Sequence, residues 1–127
     1  MRIINEVNFL KCKGFKYNGA IYAVHLEAIV CDAPARAFIK SIKGQRDTRD
    51  GCERCFIKGS LLNHRMVFTF ETDENELRTD TNFRERLQPE HHLDESPLTK
   101  LHDFGLISNM PLDYMHMILN IIWTNHL

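Results

Sequence analysis

Ile21-Tyr22-Ala23-Val24-His25-Leu26-Glu27-Ala28-Ile29-Val30-Cys31 runs directly into Asp32-Ala33-Pro34-Ala35-Arg36-Ala37-Phe38-Ile39-Lys40. The first stretch is rich in β-branched and aromatic residues and apolar at its end, so it predicts a buried strand over 21–31. Pro34 fits a first helical turn, and Ala37, Phe38 and Ile42 give a helix over 35–43 its apolar side. Gly44 closes it. Asp32 falls at the junction. A carboxylate there either caps the helix or helps hold a divalent metal at a sheet edge. Strand followed by helix predicts an α/β fold.

Working outward, residues 2–13 carry Ile3, Ile4, Val7 and Leu10 near helical spacing, ended by Lys13-Gly14. Tyr17-Asn18-Gly19-Ala20 predicts a turn, because Asn-Gly favours two-residue hairpins. The spans 20–44 (strand, Asp, helix), 45–60, 71–100 and 111–124 divide the rest. Residues 45–60 carry Cys52-Glu53-Arg54-Cys55 on turn-like sequence. Met66-Val67-Phe68-Thr69-Phe70 predicts a short strand. Residues 71–100 read as an acidic loop region with one short helix near 83–87. Pro111 opens an apolar helix to about Trp123, which reads as truncated at Leu127.

The chain has 127 residues, one domain's worth, with 43% hydrophobic residues and a net charge of −1. Overall charge predicts no polyanion partner. Its distribution is uneven, however. Residues 36–65 hold eight Lys and Arg against three acids, and residues 71–95 hold nine acids against three Arg. The basic block suits phosphates, or the two halves simply pair at a solvated surface. Four irregularly spaced cysteines and no signal peptide predict reduced thiols and a nuclear or cytoplasmic protein. No stretch reaches transmembrane length, so no membrane partner is expected.

Cys52 and Cys55 are spaced so that both sulfurs reach one tetrahedral zinc. The pair also fits a redox motif or two ordinary thiols. No second such pair exists, so the remaining zinc ligands would come from His91, His92, His102 or His116. Asp113 and His116 lie three apart on a predicted helix, hence on one face. That spacing suits two ligands, or a first-turn acid and a packed histidine.

Several blocks occur in a fixed order: Cys31 to Lys40, Gly51-Cys52-Glu53-Arg54-Cys55, Leu77-Arg78-Thr79-Asp80-x-x-Phe83-Arg84, Glu90-His91-His92, Ser96-Pro97-Leu98, and Pro111-Leu112-Asp113-Tyr114-Met115-His116. Together they resemble the transposases of CACTA-type (En/Spm-like) DNA transposons, in the form found in insects and other invertebrates, over roughly residues 5–118. The resemblance implies an incomplete RNase H-like core fragment with a zinc-braced, loop-rich insertion. Asp32 then corresponds to the second of three acids that hold two Mg²⁺ ions in a complete enzyme. Cys52, Cys55, His116 and one of His91 or His92 correspond to the structural zinc site. The family's first acid and final glutamate have no counterpart in these residues, and Thr48-Arg49-Asp50 and Met117-Ile118-Leu119-Asn120 depart from its pattern. The expectation is a transposase fragment without strand transfer of its own. The alternative is a non-catalytic, zinc-dependent module that binds DNA or a full-length transposase, with Arg46, Arg49 and Lys58 as phosphate contacts.

Overall fold

A computed structural model describes residues 1–44, 48–68 and 77–113. Helix α1 spans Arg2–Lys13. Its inner face places Ile4 in the core, with Val7 packed beside it. Lys11 and Lys13 sit in its last turn, where cations complement the helix dipole. Gly14 ends it with φ 75° and ψ 177°, a conformation essentially reserved for glycine. A Cβ at Gly14 would also stand 2.6 Å from the Tyr22 carbonyl oxygen, so this position requires glycine twice over.

Strands β1 (Phe15–Tyr17) and β2 (Ala20–Tyr22) form the expected hairpin, Tyr17 opposite Ala20. Asn18 and Gly19 both have positive φ, 47° and 78°, as a type I′ turn demands. The predicted strand over 21–31 contributes only its first two residues to a ladder. Residues 23–31 run on without strand pairing among the described residues. Their burial still alternates at first: Val24 and Leu26 are half-buried, while Ala23 and His25 are exposed. Composition supplied the conformation, but a ladder also needs a neighbouring strand. Asn109 anchors the segment instead. Its carbonyl accepts from Ile29 N at 2.9 Å, and its side chain donates to the Glu27 carbonyl at 2.8 Å.

Helix α2 spans Ala33–Lys40, earlier at both ends than the predicted 35–43. Asp32 caps it, Oδ1 accepting from Ala35 N at 2.9 Å. Ser41, left-handed at φ 53°, terminates it before Gly44 is reached. Strands β3 (Ser60–Leu62) and β4 (Arg65–Val67) make a second hairpin. The span read as an acidic loop contains α3 (Asp80–Arg84) and two single 3₁₀ turns, Pro89–His91 and Pro97–Lys100. Thr79 and Asn82 form a reciprocal capping box at the start of α3.

The described residues therefore combine helices with two separate antiparallel hairpins, an α+β arrangement where α/β was expected. Most of the core comes from late in the chain: Phe83, Leu98, Leu101, Phe104, Leu106, Ile107 and Met110, joined by Ile4 and Ile42. Helix α1 is tied to that late segment by polar contacts as well. Asn8 donates to the Lys100 carbonyl at 2.8 Å and accepts from His102 N at 3.0 Å. Pro111–Asp113 is not helical, and the rest of the predicted C-terminal helix lies outside the described residues. Among the described residues no helix is long and apolar enough to cross a membrane.

Candidate metal centre

Glu53, between the two cysteines, is only 7% exposed. Its carboxylate takes both Arg36 Nε (3.1 Å to Oε2) and Arg36 Nη2 (3.1 Å to Oε1). Lys40 Nζ approaches Oε2 at 3.5 Å and lies 5.0 Å from the Phe83 ring centre. Arg36 and Lys40 stand four apart on α2, hence on one face. Burial lowers the Lys40 pKa to about 8, against the opposing pull of Glu53. One buried carboxylate thus holds two buried cations, and the cysteine turn is locked to α2.

The turn's other charged residue works outward. Arg54 donates to the carbonyls of Ile107 at 2.8 Å and Met110 at 2.7 Å. Arg78 donates from Nε to the Cys52 carbonyl at 3.0 Å, and its guanidinium lies 4.7 Å from the Phe56 ring centre. Its Nη2 also meets Gln88, whose amide donates to Asp50 Oδ1 at 3.0 Å. Cys55 and Leu77 form an isolated bridge, and Arg78 N donates to the Arg54 carbonyl.

Cys52 and Cys55 face each other with their sulfurs 3.0 Å apart. Cys52 is half-buried and Cys55 buried, and burial pushes the Cys55 thiol up. His91 has no exposed surface. Its Nδ1 lies 2.6 Å from the Asp50 carbonyl oxygen. A carbonyl only accepts, so Nδ1 carries the proton and Nε2 keeps its lone pair. That Nε2 is buried without a hydrogen-bond partner among the described residues, as is Nε2 of His92. His92 bridges to Ile42 and packs edge-on against Phe83 at 4.7 Å. Burial lowers both histidine pKa values to about 4, so both rings are neutral at physiological pH. A neutral imidazole with one nitrogen pinned by a carbonyl is the form in which histidine ligates metals.

Among the described residues, no three Cys, His, Asp or Glu side chains converge where they could hold a metal ion. The thiol pair contributes two donors. His116 and Arg46 lie outside the described residues. Lys58 is exposed, with Nζ 3.9 Å from Asp50 Oδ1. Arg49 is exposed but braces the cysteine loop, Nε donating to the Gly59 carbonyl at 3.2 Å. Asp32 stands at the surface as a helix cap.

No family model, curated protein or solved structure matches the chain.

Sequence reasoning missed the ion network and Asp80. Oδ1 of Asp80 accepts from Ile107 N at 2.7 Å and Ser108 N at 3.0 Å, and Oδ2 from Ser108 Oγ at 2.6 Å. Burial pushes this carboxyl up, but the hydrogen bonds from Ser108 and Ile107 outweigh it and hold the pKa below its usual value. The i, i+4 spacing of Arg36 and Lys40 with Ala37 between them was the available signal of a charged inward face.

Replacing Glu53 strands two buried cations. Glu53→Gln should cost about 3–5 kcal/mol in denaturant unfolding, and a loss under about 1 kcal/mol would show that the triad does not hold the turn. The histidines set an acid limit. Unfolded, each protonates below about 6.5, whereas folded it stays neutral down to about 4. Between these values the unfolded chain binds more protons, so stability is full above 6.5 and is lost as pH falls towards 4. Melting temperatures of the metal-free chain across that window should drop in wild type and drop less in a His91→Gln, His92→Gln double variant.

Proposed function

We propose that this chain is a zinc-braced piece of a CACTA-type transposase core with an RNase H-like origin, and that it lacks strand transfer of its own. The observation that carries this reading is which residues hold the fold together. Several of the blocks that resemble the transposase family contact one another. Cys31–Lys40 meets the cysteine turn through Arg36, Lys40 and Glu53. The turn meets Leu77–Arg84 through Arg78. Ser96 Oγ donates to the Ile39 carbonyl at 2.8 Å, while the Asp50 carbonyl, just outside the blocks, meets His91.

Cys52 and Cys55 would hold the zinc ion, with His91 favoured over His92 because the Asp50 carbonyl fixes its tautomer. His116 remains the proposed third ligand, with His91 the fourth. Zinc supplies a covalent brace for a turn that is otherwise loop. Asp32 corresponds to the second acid. Its Oδ1 is engaged by the Ala35 amide, and it is exposed to any cation that the rest of a complete site would position. One acid does not hold two Mg²⁺ ions, hence no strand transfer.

A second reading is a DNA-binding module, favoured by the exposed side chains of Lys58 and Arg49 on the loop flanking the cysteines.

Metal analysis of purified protein should find one zinc per chain, lost in Cys52→Ser and in His91→Gln. Retention of zinc by Cys52→Ser would remove the brace from the proposal. Mixed with supercoiled DNA and Mg²⁺, the zinc-loaded protein should bind in a salt-sensitive way, weakened by Arg49→Gln and Lys58→Gln, and leave the DNA intact. Nicking abolished by Asp32→Ala would overturn the claim of lost catalysis.

A further inference from the structure

We infer that Cys52 and Cys55 form a reversible dithiol–disulfide pair, oxidised by low-molecular-weight disulfides such as oxidised glutathione. The sulfurs are already 3.0 Å apart, so closing to a disulfide bond of about 2.05 Å needs roughly 1 Å of approach. Nothing has to unfold to bring them together. The side chains of Glu53 and Arg54 between them point into the ion network and the 107–110 turn, which leaves the space between the sulfurs to the thiols themselves.

The surroundings assign an order to the two thiols. Cys52 is half-buried and within reach of solvent. An oxidant in solution reaches the accessible thiol of a pair first. Cys55 is 6% exposed and shielded from a bulky oxidant. Cys52 therefore attacks first. Its proton goes to solvent, its sulfur bonds to one sulfur of the oxidant, and the other half leaves as a thiolate. Cys55 then loses its proton and attacks Cys52 Sγ, expelling the second half. In sum, two protein thiols and one small disulfide give one protein disulfide and two small thiols.

Cys12 and Cys31 do not belong to this pair. Cys12 is exposed on α1 with no sulfur partner among the described residues, and Cys31 is half-buried beside Arg36. The consequence for the proposed zinc brace rests on the metal reading: a disulfide removes both thiolates from the metal, so oxidation and zinc binding exclude each other. The thiol chemistry itself does not depend on that reading.

Full-length protein, stripped of metal, is incubated with oxidised glutathione and read by free-thiol titration and peptide mass mapping. Free thiols should fall from four to two, with a Cys52–Cys55 disulfide that dithiothreitol reverses and with Cys12 and Cys31 still open to alkylation. Cys55→Ser should stop at a glutathione adduct on Cys52, because the resolving thiol is gone. Cys52→Ser should accumulate little adduct at Cys55. A wild-type protein that carries only glutathione adducts, or whose two single variants react alike, overturns the proposal. Zinc added beforehand should protect both thiols. Disulfide formation without such protection would count against the metal site alone, and protection without any disulfide in the stripped protein would count against the redox pair alone.

Discussion

A single buried carboxylate organises this structure. Glu53 is the only acid within reach of Arg36 and Lys40 among the described hydrogen bonds and ion pairs, and all three side chains are shut off from water. Removing charges from water is costly, and the cost is tolerable only where geometry and hydrogen bonding are good. The two-point contact with Arg36 meets that condition, and a further Arg36 hydrogen bond to the Cys31 carbonyl, at 2.8 Å, extends it to the residue before the helix cap. The ion cluster gives the cysteine turn one location on α2 where an apolar contact would allow several. Arg54 and Arg78 then build from the same turn, reaching the late core segment and the start of α3.

This excess of buried positive charge also shapes the histidines. Burial is the main cause of their low pKa values, and Arg78 and Lys40 add to it for both rings. A cationic interior keeps imidazoles neutral, the form that donates an electron pair, while burial holds the Cys55 thiol protonated.

Local features of the fold could be read from the sequence. The Asn18-Gly19 turn and the Asp32 cap depend on residues within a few positions of each other; the turn formed as expected, and of the two readings of Asp32 the structure shows the cap. Helix α1 followed from its apolar spacing. What depends on distant partners could not be read. Residues 23–31 have strand composition, yet pairing is decided elsewhere in the chain. Leu98, Leu101, Phe104, Ile107 and Met110 recur every three residues, but the acidic composition of 71–100 made the span that holds Phe83 and Leu98 read as a loop region, and no element was assigned to 101–110, which supplies most of the core. At the site, the cysteine pair and His91 were visible as residue types. The tautomer of His91 was not, because it is set by a backbone carbonyl forty-one positions away.

The ties between α1 and the segment near residue 100 have a consequence for how the protein comes into being. Asn8 is separated by 92 and 94 positions from the groups it bonds. During synthesis α1 leaves the ribosome long before its packing surface exists, and at about 5–20 residues per second it waits several seconds. Over that interval Ile4 and Val7 have no core to enter, and a 12-residue helix is marginal by itself. Helix α1 is made well before the segment it packs against, and so it is secured late. The nascent chain spends those seconds with an apolar stripe open to whatever else binds apolar surfaces.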